Sequence, residues 1–182
     1  MNAIGVLESS SIAKGVLAAD AIVKAAEVTL LYAKPVCPGK YTALFHGEVA
    51  AVKASLEAGE AALGGNLVDS VVIPRIHPDV VKAISLAAEA PERVNAVGVM
   101  EFYSITAAVY AADAAAKAAE VLLMDVRLGI GIGGKSYAVL TGEVAAVEAA
   151  VSAGMAEGSE KGLAVGSVVI PSPAKEVFDS LL

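Results

Sequence analysis

The chain repeats itself, and this constrains its fold more than any other feature. Ala3–Val28 aligns with Ala96–Val121 without a gap, and 16 of the 26 positions are identical. Gly39–Gly59 aligns with Gly134–Gly154 at 12 of 21 positions, and Ser-Val-Val-Ile-Pro occurs at Ser70–Pro74 and again at Ser167–Pro171. The offset between copies steps from 93 to 95 to 97, so the second copy gains two residues at each of two Gly/Pro-rich places. Such places are where loops absorb insertions. The 182 residues therefore read as a tandem duplication, with one domain at 1–92, a second at 93–182, and Ala90-Pro91-Glu92-Arg93 as the joint.

Each copy carries the same order of elements. A short apolar run (Ala3–Leu7; Ala96–Met100) predicts a strand. Ile12, Val16, Ala19 and Val23 recur at helical spacing behind the N-capping candidates Ser9–Ser11. Two further strands follow (Val28–Ala33 and Tyr41–Phe45; Val121–Leu128 and Ser136–Leu140), separated by a Gly/Pro loop. A second helix begins near Gly-Glu-Val-Ala-Ala-Val, with Gly59 or Gly154 expected near its far end. A strand ending in Val-Val-Ile-Pro and a tail helix complete the unit. The order β-α-β-β-α-β predicts an α+β fold, ferredoxin-like, with both helices on one face of a sheet and a partner on the other.

Composition narrows the function. A net charge of −7 offers no basic footprint for nucleic acid, and one cysteine cannot cross-link within the chain. The start of the chain lacks the cationic and long apolar regions of a signal peptide, and Ile105–Ala119, its most Ala-rich stretch, carries Asp113 and Lys117. A soluble cytoplasmic protein, neither membrane-bound nor bound to nucleic acid, is the expectation.

Gly129-Ile130-Gly131-Ile132-Gly133-Gly134-Lys135-Ser136 satisfies the phosphate-loop pattern G-x-x-x-x-G-K-[ST]. A working phosphate loop runs straight into a helix, whose first amides hold the phosphates. Here a strand pattern follows instead, and the matching loop of the first copy, Lys34–Lys40, keeps only Gly39-Lys40. The segment reads as a turn that needs glycine for positive φ, and a nucleotide-dependent enzyme is the remote alternative. Neither copy offers a nucleophile–base pair or paired carboxylates at catalytic spacing, so no enzymatic turnover is expected. His46 has Thr141 at its place in the other copy and no second ligand at metal-binding spacing, which favours a plain strand residue.

Taken together, several elements resemble the shell proteins of bacterial microcompartments in their unpermuted tandem-domain form. They are Ala3-Ile-Gly-Val-Leu-Glu8 with Ser11-Ile12-Ala-Lys-Gly, Asp20-x-x-x-Lys24, Gly47-Glu-Val-Ala-Ala-Val and Val72-Ile-Pro-Arg75-Ile-His77, mostly repeated in the second copy. The resemblance implies two α/β-sandwich microcompartment domains per chain. It also implies a homotrimer with pseudo-sixfold symmetry that tiles into the shell beside other shell proteins. It makes Lys24 and Lys117 lattice-edge lysines, and Arg75 and His77 part of an edge element that Pro171-Ser-Pro-Ala174 does not reproduce. The reading from the residues alone is that each lysine pairs with the aspartate four positions earlier.

The resemblance also implies that the loops between the second and third strands line a central pore. These are Val36, Cys37, Pro38 and Gly39 in one copy, and Gly129, Ile130, Gly131, Ile132, Gly133 and Gly134 in the other. Cys37-Pro-Gly-Lys40 is similar to the loop of a tandem subgroup, found in propanediol-type compartments, that holds a [4Fe-4S] cluster. By that resemblance Cys37 is a cluster ligand, one cluster sits on each trimer's threefold axis, and an encapsulated flavin or cobalamin reductase is the implied partner. A threefold axis would turn one thiol into three, and thiolates are what such clusters want. Two other readings stay open: a pore-rim thiol in a passive metabolite gate, and a cysteine that is simply a small buried hydrophobe.

Overall fold

A computed structural model of the chain describes residues 3–85, 94–160 and 163–181. The expected joint at Ala90–Arg93, and with it the 92/93 boundary, lies outside the described residues. Two compact units form: Met1–Ile76 together with Ile130–Gly134, and His77–Gly129 together with Lys135–Leu182. The short segment Ile130–Gly134, which the duplication assigns to the second copy, thus belongs to the first unit.

In the first unit β1 (Ala3–Ser9) leads to α1 (Ile12–Ala25), β2 (Val28–Val36), β3 (Lys40–Gly47), α2 (Val49–Leu63) and β4 (Leu67–Pro74). The strands lie in the order β2-β3-β1-β4, with every neighbouring pair antiparallel. The expected β-α-β-β-α-β order is present. Ser11 caps α1 by accepting the Lys14 N–H at 3.3 Å, as its position suggests. Ala3, Leu7, Ala43 and Phe45 from the sheet bury against Ala18 and Ile22 of α1 and Val52, Leu56 and Leu63 of α2. Gly5 stands beside Phe45 in register, and a Cβ there would strike the Phe45 ring.

In the second unit, α3 (Pro78–Ile84) comes first, although the duplicated sequence makes it the tail of the first copy. β5 (Ala96–Phe102), α4 (Ile105–Ala118), β6 (Leu122–Arg127), β7 (Ser136–Gly142), α5 (Val144–Gly158), β8 (Ala164–Pro171) and α6 (Lys175–Asp179) follow. The sheet order β6-β7-β5-β8 repeats that of the first unit, and α3 packs on β6. The Cβ position of Gly98 meets Val147 and Val151 of α5, so Val97 and Val139 point to the opposite face. That face was expected to await a partner. Part of it is instead covered within the chain, because Phe178 of α6 buries against Val97, Met124 and Val139.

The second helices carry the expected glycines near their far ends. Gly59 and Gly154 lie inside α2 and α5, not at their ends, and the first of these helices is closed by Gly64 at φ 53°. Both glycines serve close approach: a Cβ at Gly59 would lie 2.8 Å from Ile22 Cγ1, and one at Gly154 would lie 2.8 Å from the Ala111 carbonyl oxygen. Among the described residues, no helix is long and apolar enough to cross a membrane.

Candidate functional site

The cysteine loop is tighter than the sequence suggests. β2 continues through Lys34 and Pro35 to Val36, and β3 starts at Lys40, so the turn is only Cys37-Pro38-Gly39. The Gly39 N–H donates to the Val36 carbonyl at 3.0 Å, Gly39 takes φ 93°, and the Cys37–Pro38 peptide is cis. Val36 is buried and Cys37 half-buried. Strand pairing therefore holds Cys37 from both sides: the residue before it pairs across to Lys40.

The glycine segment runs from Leu128 to Lys135, between β6 and β7. Gly129, Gly131, Gly133 and Gly134 all have positive φ, between 66° and 80°, a region that glycine alone enters without strain. Lys135-Ser136 opens strand β7, and the next helix starts only at Val144. The amide-lined helix start that a phosphate loop requires is therefore not attached to this segment. Lys135 has another task. Its Nζ pairs with Glu101 at 2.9 Å, a hydrogen bond that raises the lysine pKa. Lys40 likewise has an ion-pair partner in the buried Glu8, at 3.4 Å. Each Gly-Lys dipeptide thus ties its loop to the glutamate of the first strand. Glu8 and Glu101 were visible as shared residues, but their role in anchoring the loops was not.

The two loops meet in the first unit. The Gly131 N–H donates to Cys37 Sγ at 3.4 Å. Gly134 is buried against the same turn: a Cβ there would lie 2.5 Å from Pro38 Cδ and 2.7 Å from the Cys37 carbonyl oxygen. Ile130 and Ile132 flank these glycines, Ile130 with its side chain more than half exposed. Among the described residues no group of three or more His, Cys, Asp and Glu side chains is gathered for a metal. One chain therefore presents a single thiol, Cys37, and any multi-thiolate site must draw on several chains.

The proposed edge residues fall into unlike environments. Lys24 sits in the last turn of α1 and pairs with Asp20 at 2.6 Å, with both side chains mostly exposed. Lys117 occupies the same place on α4, but its partner Asp113 is only 3% exposed. The other oxygen of Asp113 accepts the backbone N–H of His77 at 2.7 Å. His77 in turn caps α3, its Nδ1 accepting the Asp79 N–H at 3.3 Å. The sequence thus found His77 without its structural task. Arg75 is exposed just after β4 and carries φ 52°, and Ser172 takes φ 48° at the corresponding place after β8. His46 lies in β3, in register with Ile4 and Thr29.

Comparison with known proteins identifies this architecture. The BMC domain family matches residues 3–76 and again 96–173. The chain is 43% identical over 180 residues to the bacterial microcompartment shell protein PduT of Citrobacter freundii, covering 99% of this chain and 97% of that one. It is 32% identical to the carboxysome assembly protein CcmO of Synechococcus elongatus, over 98% of this chain and 68% of the relative. A crystal structure of a microcompartment protein from Desulfitobacterium hafniense superposes with a TM-score of 0.88 at 49% identity, covering 98% of this chain and 99% of that chain. Two BMC domains in tandem, each on its own four-stranded sheet, place this chain in the family of bacterial microcompartment shell proteins.

Proposed function

We propose that this shell protein works as a homotrimeric tile whose threefold axis brings three Cys37 thiols around one [4Fe-4S] cluster in a central pore, for electron transfer across the shell. The observation that carries the reading is the state of Cys37: the chain's sole thiol, half-buried, fixed at the tip of a three-residue turn. Its sulfur already accepts a backbone N–H, the kind of hydrogen bond that surrounds cluster-bound thiolates. The donor chemistry therefore fits. Cys37 would hold the cluster, and a fourth ligand would come from outside the protein. When bound, such a cluster carries single electrons. Around it, Gly131 donates to sulfur, while Lys40 and Lys135 keep the turns fastened to Glu8 and Glu101.

The duplicated helices support the trimer. Ile105 and Val109 of α4 are 1% and 0% exposed, whereas their counterparts on α1, Ile12 and Val16, are 41% and 53% exposed. Ile12 and Val16 leave an apolar strip open on α1, a surface that a further copy of the chain would cover. Such a tile would join other shell proteins through edges that include Lys24, Lys117, Arg75 and His77. An enclosed flavin or cobalamin reductase would be the electron partner.

The test is iron and acid-labile sulfide per trimer in protein purified and reconstituted without oxygen, beside Cys37→Ser. About four irons per trimer, lost in the variant while the trimer persists, is the expected result. An intact trimer that takes up no iron would leave a metabolite pore with a thiol on its rim.

A further inference from the structure

We infer that Ile130–Gly134 is a clasp for Cys37, with Gly131 and Gly134 as its positioning residues, rather than a second pore loop equivalent to the first. The aligned glycines of the two copies separate the two demands on this segment. Gly39 and Gly134 occupy matching positions and share positive φ, 93° and 80°. Around Gly39 there is nothing within 4 Å of a Cβ position, so its glycine answers to backbone conformation alone. Gly134 has a second reason to lack a side chain. Its α-carbon lies against the Cys37 carbonyl and the Pro38 ring, and a methyl group would have to push the cysteine turn away. From this close approach the segment reaches back, and Gly131 presents its N–H to Cys37 Sγ at 3.4 Å. One contact sets where the turn sits. The other sets where the sulfur points.

The arrangement gives the glycine-rich motif a use that does not involve phosphate. Alternating positive φ at Gly129, Gly131 and Gly133 coils the segment tightly enough for one amide to face the thiol while the next residues return to β7. Neither Gly131 nor Gly133 has any atom within 4 Å of its Cβ position. Only Gly134 among the three is packed against the cysteine turn. The inference concerns the placement of Cys37 and holds without a cluster, so it is testable on iron-free protein and stands apart from the iron–sulfur reading.

The experiment compares alkylation of Cys37 by iodoacetamide in the full-length iron-free protein, Gly134→Ala and Gly133→Ala. Both variants carry the same positive-φ strain, but only the first adds a methyl group against Cys37 and Pro38. Gly134→Ala should alkylate about tenfold faster, because the displaced segment no longer covers the sulfur, while Gly133→Ala stays within about twofold of the parent. Equal rates in the two variants would overturn the clasp. If Gly134→Ala does not fold, hydrogen exchange in the parent and in Cys37→Ala decides. Removing the sulfur should speed exchange of the Gly131 amide about fivefold and leave the Gly133 amide unchanged. An unaltered Gly131 amide would equally overturn it.

Discussion

The backbone N–H of His77 donates to the Asp113 carboxylate at 2.7 Å, which fastens the start of α3 to the middle of α4. Lys117 holds the other oxygen of the same carboxylate. A buried carboxylate with two such partners costs far more to remove than an exposed one, since the groups it served lose their partner inside the protein. Asp113→Ala should lower stability by about 3 kcal/mol. Asp20→Ala, which removes the matching exposed pair with Lys24, should cost less than about 0.5 kcal/mol. Urea denaturation of both variants checks the contrast.

The same asymmetry bears on tiling. Lys24 shows 73% of its side chain to solvent, against 41% for Lys117. If tiles meet through these lysines, Lys24 is the freer to change partners. Lys24→Ala should therefore disrupt sheet assembly more than Lys117→Ala, with trimers intact in both. Electron microscopy of assembled sheets, with sizing of the soluble protein, reads this directly. Sheets of equal extent in both variants would count against a lattice role for Lys24.

Buried positions that differ between the copies give a third prediction. Ser55 of α2 is fully buried, and its hydroxyl finds no hydrogen-bond partner among the described residues. Its counterpart in α5 is Ala150, also fully buried. The second copy thus shows that the helix accepts alanine here. Ser55→Ala removes an unpaired hydroxyl and favours the helix, and should raise stability by about 1 kcal/mol, read as a higher melting temperature.

What the sequence disclosed and what it withheld divide along the range of the contacts. Strands, helices and caps depend on neighbours in sequence, so Ser11 and the presence of the helix behind it were legible, whereas its buried face was not: Ile12, Val16 and Val23 are exposed, and Gly15, Ala18, Ala19 and Ile22 are buried. The duplication carried the fold class, because both copies keep the residues that make elements. Contacts between distant segments were not legible. Gly59 looks like a helix stop because the eye sees only its own helix, whereas Ile22, 37 residues earlier, is what excludes a side chain there. His77 reads as an edge residue until Asp113 appears beneath its backbone. At the site, Cys37 stood out as the only thiol, but its link to Gly131 spans 94 residues and leaves no local pattern.

Alkaline pH supplies a fourth prediction. Burial raises the phenol pKa of Tyr32 and Tyr41, and at Tyr110 burial is reinforced by Glu157. A raised phenol pKa means that the folded chain keeps a proton the unfolded chain has already lost. Stability from this source is intact below about pH 10, the unfolded value, and is lost as pH rises through the folded values. The urea midpoint should therefore fall as pH rises above about 10, and Tyr41→Phe should flatten the fall. A midpoint that does not move over that range would show that these phenols ionise as freely in the folded protein as in the unfolded one.

Gly15 and Ala108 occupy the same place on α1 and α4, and the two helices meet their sheets differently there. A Cβ on Gly15 would run into Tyr41 Cβ itself, an atom fixed to the β3 backbone that cannot swing aside. In the second unit Ser136 stands where Tyr41 does, and Ala108 carries its methyl group fully buried. The first helix must therefore sit closer to its strand at this point than the second does. Exchanging the residues should damage both units for opposite reasons. Gly15→Ala overfills a close contact and should cost about 1–3 kcal/mol, despite alanine being the better helix former. Ala108→Gly leaves a buried gap and loosens the helix, and should cost about 1 kcal/mol. Chemical denaturation of the two variants decides: if Gly15→Ala is neutral or stabilising, the helix and strand are not in the close contact described.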